Sequence, residues 1–191
     1  MKRNSFILSY LTSETVLYLL AFTLALIVRL FQLGAAPLTD FEAGWALQAW
    51  DLVQGNHPVI GPQPAYVILT AGLFFLFPVT NALARLLPAL AGSLLVFVPW
   101  LLRSSTGSSR RLRLAGLLLA FFLALDPGLI ALSRTAGSPM MALSFSLLTF
   151  GLLVDRRARL AGIVAALALL SGTALLEGLL GAGLAWLAAW V

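Results

Sequence analysis

The sequence predicts an all-α, polytopic transmembrane helix bundle of about five to six spans, with two extracytoplasmic juxtamembrane helices after the first span. Three observations predict it. Of 191 residues, 61% are hydrophobic and 10% charged, with a mean hydropathy of +1.00. A soluble domain of this size would have too few charges to cover so much apolar surface. Apolar runs recur at span length, and the basic residues are dispersed between them. The net charge of +5 therefore reads as an orientation signal and not as a nucleic-acid surface.

Each element follows in order. The opening "MKRNSFILSYLTSE" is basic and then mixed, with no small-residue cleavage site. The apolar run after it, residues 15–34, reads as a retained first span and not as a signal peptide. "FEAGWALQAWDLVQG" reads as an amphipathic interfacial helix: Asp40, Gly44, Gln48, Asp51 and Gly55 form a polar stripe, while Phe41, Trp45, Ala49 and Leu52 line another face. "NHPVIGPQP" is a connector. "AYVILTAGLFFLF", residues 65–77, would be about 20 Å long as a helix, too short to cross. Further spans are expected at residues 82–102, 112–133, 139–154 and 160–176. The final run, residues 178–191, is shorter than the roughly 17–25 residues of a span. Residues 1–191 thus read as one transmembrane domain, expected to be the N-terminal part of a longer module. Cysteine is absent, so no disulfide or thiolate metal site exists.

The basic residues orient this layout. Lys2 and Arg3, the loop "RSSTGSSRRLR" and the loop "DRRAR" fall on one side if residues 65–77 do not cross, while residues 35–81 contain no lysine or arginine. By the positive-inside rule the N-terminus is cytoplasmic, and Asp40 and Glu42 are extracytoplasmic. Nine of the twelve basic residues are thereby used. Arg29, Arg85 and Arg134 remain, each near the outer end of its span. Snorkelling to the headgroups explains any one of them. Three at one depth, beside two acids, point to an anion site, because guanidinium offers phosphate a planar fork of donors.

The acids also have two readings. Thr39 and Glu42 fit a capping box, with Thr39 as N-cap and Glu42 reaching back to it. That leaves Asp40 free at the outer surface, where a carboxylate could take a proton from an acceptor hydroxyl.

The segments "VRLFQLGAAPLTDFEAGWALQAWDLVQG", "PAYVILTAGLFFLFP", "ARLLPALAGSLLVFVPWLLR" and "DPGLIALSRTAG" together resemble the N-terminal module of the GT-C membrane glycosyltransferases. The nearest branch is that of the protein O-mannosyltransferases and aminoarabinose transferases, and the resemblance covers most of residues 28–154. It implies a hexosyl- or pentosyltransferase that moves a sugar from a polyprenyl-phosphate carrier to a protein, lipid or glycan acceptor outside the inner (plasma) membrane. It implies Asp40 as catalytic base and Glu42 as the second acid of the motif, although here Phe41 separates them. Arg85 and Arg134, with Arg29 beside them, would bind the carrier phosphate. The lipid-linked sugar enters as substrate, membrane lipids are partners, and a divalent metal is left open with no ligands assigned. Family members often carry a further acid where this chain has Ser138 and Pro139.

Other candidates have plainer explanations. Asp126 precedes Pro127 and marks a kink or neutralises a buried arginine. Glu177 reads as a solvated helix-end acid, with entry into the cavity as the alternative, and His57 is a lone histidine in a proline-rich loop, a poor basis for a metal site. Trp45 and Trp50 suit interfacial anchoring, with sugar stacking as the alternative. The rival function is a non-catalytic membrane protein, a transporter or assembly subunit with an anionic-lipid site. A transporter would more often show inverted repeats with broken helices, and no such internal symmetry is present.

Overall fold

The computed structural model describes residues 2–106 and 110–172. All regular structure among them is helical, as the composition predicts. α1 (Lys2–Leu30) turns into α2 (Asp40–Val53) and α3 (Pro64–Leu76). α4 (Asn81–Leu94) continues through a 3-10 turn (Leu95–Phe97) into α5 (Val98–Thr106). α6 (Arg110–Leu125), α7 (Pro127–Ser133), α8 (Met140–Val154) and α9 (Ala158–Leu170) follow.

One continuous path, Asn81–Arg103, is long and apolar enough to cross a bilayer. α6 and α7 make a second if the 52° bend between them lies within one span. α8 and α9 have 15 and 13 residues. They reach about 22 and 20 Å, short of about 30 Å of hydrocarbon. The described helices carry the all-α class but not the count of five to six spans. The expected run to residue 176 is interrupted when α9 ends at Leu170, just before Gly172 with φ 144°. Glu177 and residues 178–191 lie outside the described residues.

Three prolines shape the helices, and each is accommodated differently. Pro88 sits inside α4 and has no N–H for the Ala84 carbonyl one turn back. The Tyr66 hydroxyl, reaching from α3, donates to that carbonyl at 2.7 Å. Pro99 likewise leaves Leu95 without its usual donor; the 3-10 turn brings the Val98 N–H to it instead. Pro127 ends the helix. Asp126 becomes the N-cap of α7, its Oδ1 accepting the Leu129 N–H at 2.7 Å.

Small residues bring the long helices together. Ala21 and Ala25 of α1 cluster with Ala120 and Ala124 of α6, all four at zero exposure. Trp45, Tyr66, Phe74 and Met141 build the core that joins α2 and α3 to α8. The helix order creates two polar ends. At one, Arg103 donates to Glu14 at 3.0 Å and Arg113 lies 3.2 Å from the same carboxylate. At the other, Arg85 and Arg134 reach the chain just after α1. Glu14 and Leu30 are about 24 Å apart along α1. Leu19, Leu20, Ile27, Leu118 and Phe122, along α1 and α6, are exposed.

Candidate functional site

The site grows from the start of α2. Glu42 Oε2 accepts the Thr39 N–H at 3.0 Å and Thr39 Oγ1 accepts the Glu42 N–H at 3.4 Å, the capping box that the spacing predicts. Glu42 does more than cap. Arg85 meets it with two parallel bonds, Nε to Oε1 at 2.7 Å and Nη2 to Oε2 at 2.8 Å. The Ala136 N–H donates to Oε1 at 2.9 Å. The Arg85 fork holds the Glu42 carboxyl at about 2, below its ordinary value near 4.5; burial opposes this, and the Thr39 and Ala136 backbone bonds reinforce it. Glu42 is 2% exposed, with both oxygens taken up. Such a carboxylate is a weak base at neutral pH, so the geometry makes Glu42 a structural node and not a proton acceptor.

Arg85 is correspondingly full. Nη1 donates to Leu33 O at 3.1 Å and Ala36 O at 2.9 Å, and Nη2 donates to Pro37 O at 2.9 Å. With the two bonds to Glu42, all five guanidinium N–H groups have acceptors. Arg85 thus ties the α1–α2 linker to α4. A phosphate could reach it only by displacing one of these partners.

The other two arginines also serve backbone carbonyls. Arg29 is at zero exposure; its Nη1 donates to Ala124 O at 2.8 Å and its Nη2 to Leu123 O at 2.9 Å. Those are the carbonyls that the break at Pro127 leaves without helical donors. Arg134 closes the end of α1, its Nη1 donating to Val28 O at 2.9 Å and Phe31 O at 2.8 Å. A longer bond runs from Nη2 to Gln32 O at 3.3 Å. Arg134 is half-buried, and it is the only one of the three arginines not enclosed.

Asp40 stands apart. It is exposed on the first turn of α2 and makes no hydrogen bond or ion pair among the described residues. The Glu42–Ala136 bond holds the segment that carries Asp40 against the segment that carries Arg134. Glu42 has no oxygen to give, and no three His, Asp or Glu side chains gather for a metal among the described residues.

Trp45 departs from the interfacial reading. It is 9% exposed, packed edge-on to Tyr66 at 6.3 Å and covered by Gly61 and Gly137. A Cβ on Gly137 would overlap the Trp45 ring, and φ 65° there favours glycine. Gln63 Nε2 donates to Gly137 O at 2.9 Å and the Gly61 N–H donates to Gln48 Oε1 at 3.0 Å, closing the connector over the indole. Of the apolar face read from the sequence, Trp45 and Ala49 are buried together with Glu42 and Ala46, while Phe41 is 61% exposed. Trp50 and His57 are on the surface. Tyr66, Ala136 and Gly137 carry the site's architecture without having been singled out in the sequence. Pro88 is the one local sign, since a proline within a helix requires a substitute donor for the carbonyl behind it. Comparison with protein-family models, with curated proteins and with solved structures found no match.

Proposed function

We propose that the chain is a multi-pass inner-membrane protein with a cytoplasmic N-terminus, corresponding to the N-terminal helices of a GT-C-type glycosyltransferase. One observation carries the catalytic part. Of the two acids at the start of α2, Glu42 is committed to Arg85, while Asp40 is exposed and unpaired among the described residues. In the proposed reaction Asp40 takes the proton of an acceptor hydroxyl. The acceptor oxygen attacks the anomeric carbon, the bond from that carbon to the carrier phosphate breaks, and polyprenyl phosphate leaves. Arg134, the least enclosed of the outer arginines, faces the developing phosphate charge. Arg29, Arg85 and Glu42 are positioning residues that hold the acid and Arg134 in place.

The membrane reading is supported by apolar side chains exposed along α1 and α6 between the two polar ends. A second reading, a non-catalytic membrane protein, is favoured by the commitment of Arg29 and Arg85 to carbonyls and to Glu42. Turnover separates the two. With a polyprenyl-phosphate-linked sugar as donor, Asp40→Asn should lower transfer by about 10²–10⁴-fold, as removal of a general base does. Arg134→Gln should weaken carrier binding more than Arg134→Lys. Near-normal transfer by the Asp40→Asn variant would remove Asp40 from the mechanism.

A further inference from the structure

The polar end opposite Asp40 contains a cavity that the proposed transfer reaction does not use. It has a volume of about 350 Å³ and lies where α1, α5 and α6 meet, with Glu14, Tyr18, Arg103, Arg110 and Arg113 among its lining residues. The rest of its wall is largely leucine, with Leu17, Leu102 and Leu117 in contact with the space. Gly116 keeps it open, since a Cβ there would come 3.2 Å from Tyr18 Oη.

The charges in this cavity do not cancel. Glu14 is shared by Arg103 at 3.0 Å and Arg113 at 3.2 Å. Arg110 is exposed and has no hydrogen-bond or ion-pair partner among the described residues. Three guanidinium groups face one carboxylate, which leaves two positive charges beside a carbon-lined space. A cation is therefore repelled. A free sugar would find few polar partners beyond the charged rim. An anion with an apolar body satisfies both parts of the wall, and phosphate matches the guanidinium fork. The location agrees: the cavity lies at the polar end opposite Arg85 and Arg134, among the basic residues Arg103, Arg110 and Arg113.

We propose that this cavity binds a phosphate-bearing anionic amphiphile, with Arg110 contacting the headgroup and the leucine wall receiving the start of the acyl chain. The inference shares the membrane reading with the proposed function but not the transferase reading, so loss of transfer in the Asp40 variant leaves it untouched.

The test uses the 191-residue chain in an uncharged detergent, titrated with dihexanoyl phosphatidylglycerol while thermal unfolding is followed. Dihexanoyl phosphatidylcholine and inorganic phosphate are titrated in parallel. The anionic lipid should raise the unfolding temperature saturably, and the zwitterionic lipid and phosphate alone should bind at least about tenfold more weakly. Arg110→Gln should weaken binding by about tenfold or more, while Arg111→Gln, an exposed neighbour that does not line the cavity, should bind as the parent does. Ala115→Trp, placed on an exposed lining position, should obstruct the cavity without disturbing the core. Equal weakening by Arg110→Gln and Arg111→Gln would reduce the effect to general surface charge and overturn the proposal. Parent-like binding by both Arg110→Gln and Ala115→Trp would overturn it too. Inorganic phosphate binding as tightly as the lipid would exclude a role for the leucine wall.

Discussion

Arg85 and Glu42 form a two-pronged ion pair, at 2.7 and 2.8 Å, with Arg85 6% and Glu42 2% exposed. Removing one member strands a buried charge, a loss of about 3–5 kcal/mol. Glu42→Gln and Arg85→Met should each lower thermal stability strongly. The double variant should be destabilised by much less than the sum of the two, and a double-mutant cycle in detergent measures the difference. Additive losses would mean that the two side chains do not act as a pair.

Acid should find the same pair. The Arg85 fork holds the Glu42 carboxyl at about 2 against an ordinary value near 4.5. Because the folded value is depressed, the unfolded chain binds the proton first as pH falls. The stabilisation is complete above about 4.5 and is lost progressively between there and about 2. Unfolding temperatures measured across that window should fall more steeply in the parent than in Glu42→Gln. Parallel curves would place the acid sensitivity elsewhere.

Tyr66→Phe removes one oxygen and strands the Ala84 carbonyl that Pro88 cannot serve. A loss of about 1–3 kcal/mol is expected, the cost of a buried unsatisfied acceptor. Amide hydrogen exchange should accelerate around residues 84–88 of α4 before it does so in α8. Unchanged stability would show that α4 tolerates the gap at Pro88 without a donor from α3.

Gly137 and Gly44 make a contrasting pair. Gly137→Ala drives a methyl into the Trp45 ring at φ 65°, and should cost at least about 1–3 kcal/mol and shift tryptophan emission. Gly44 lies within α2 with nothing within 4 Å of an added Cβ. Gly44→Ala should stabilise by up to about 1 kcal/mol. If both substitutions are neutral, the closure of the connector over Trp45 is not formed in solution.

The orientation can be checked directly, because the chain has no cysteine. Asn56 and Ala158 are both exposed. In intact cells an impermeant thiol reagent should label Asn56→Cys and leave Ala158→Cys unlabelled. The opposite pattern would put Asp40 in the cytoplasm and end its assignment as a base for an external acceptor.

Much of the local architecture was legible. The Thr39–Glu42 cap, the short helix at Pro64–Leu76 and the break at Asp126–Pro127 each depend on residues within one turn of each other. The pairing of Glu14 with Arg103 and Arg113 was not legible, because Glu14 lies 89 positions before Arg103 and only the helix packing brings them together. The 13-residue length of α9 was not legible, because the run around it stays apolar past the point where the helix stops.

The sequence by itself determined helices throughout the described residues, with apolar side chains on exposed faces and two polar ends, because composition and the 3.6-residue period act locally. Tertiary structure alone decided which acid is committed and which is free. Asp40 and Glu42 share the same few residues of sequence, yet Glu42 meets Arg85, 43 positions away, and Ala136, 94 positions away. Arg29, Arg85 and Arg134 carried one local signal that suited snorkelling and phosphate binding equally. What distinguishes them is distant backbone: Arg29 serves carbonyls 94 and 95 positions away, and Arg134 those of a helix end more than 100 positions back. A carbonyl left open by a proline or a helix end has no side chain to mark its need in the sequence. Its partner is chosen by whichever donor the packing of the helices brings within reach.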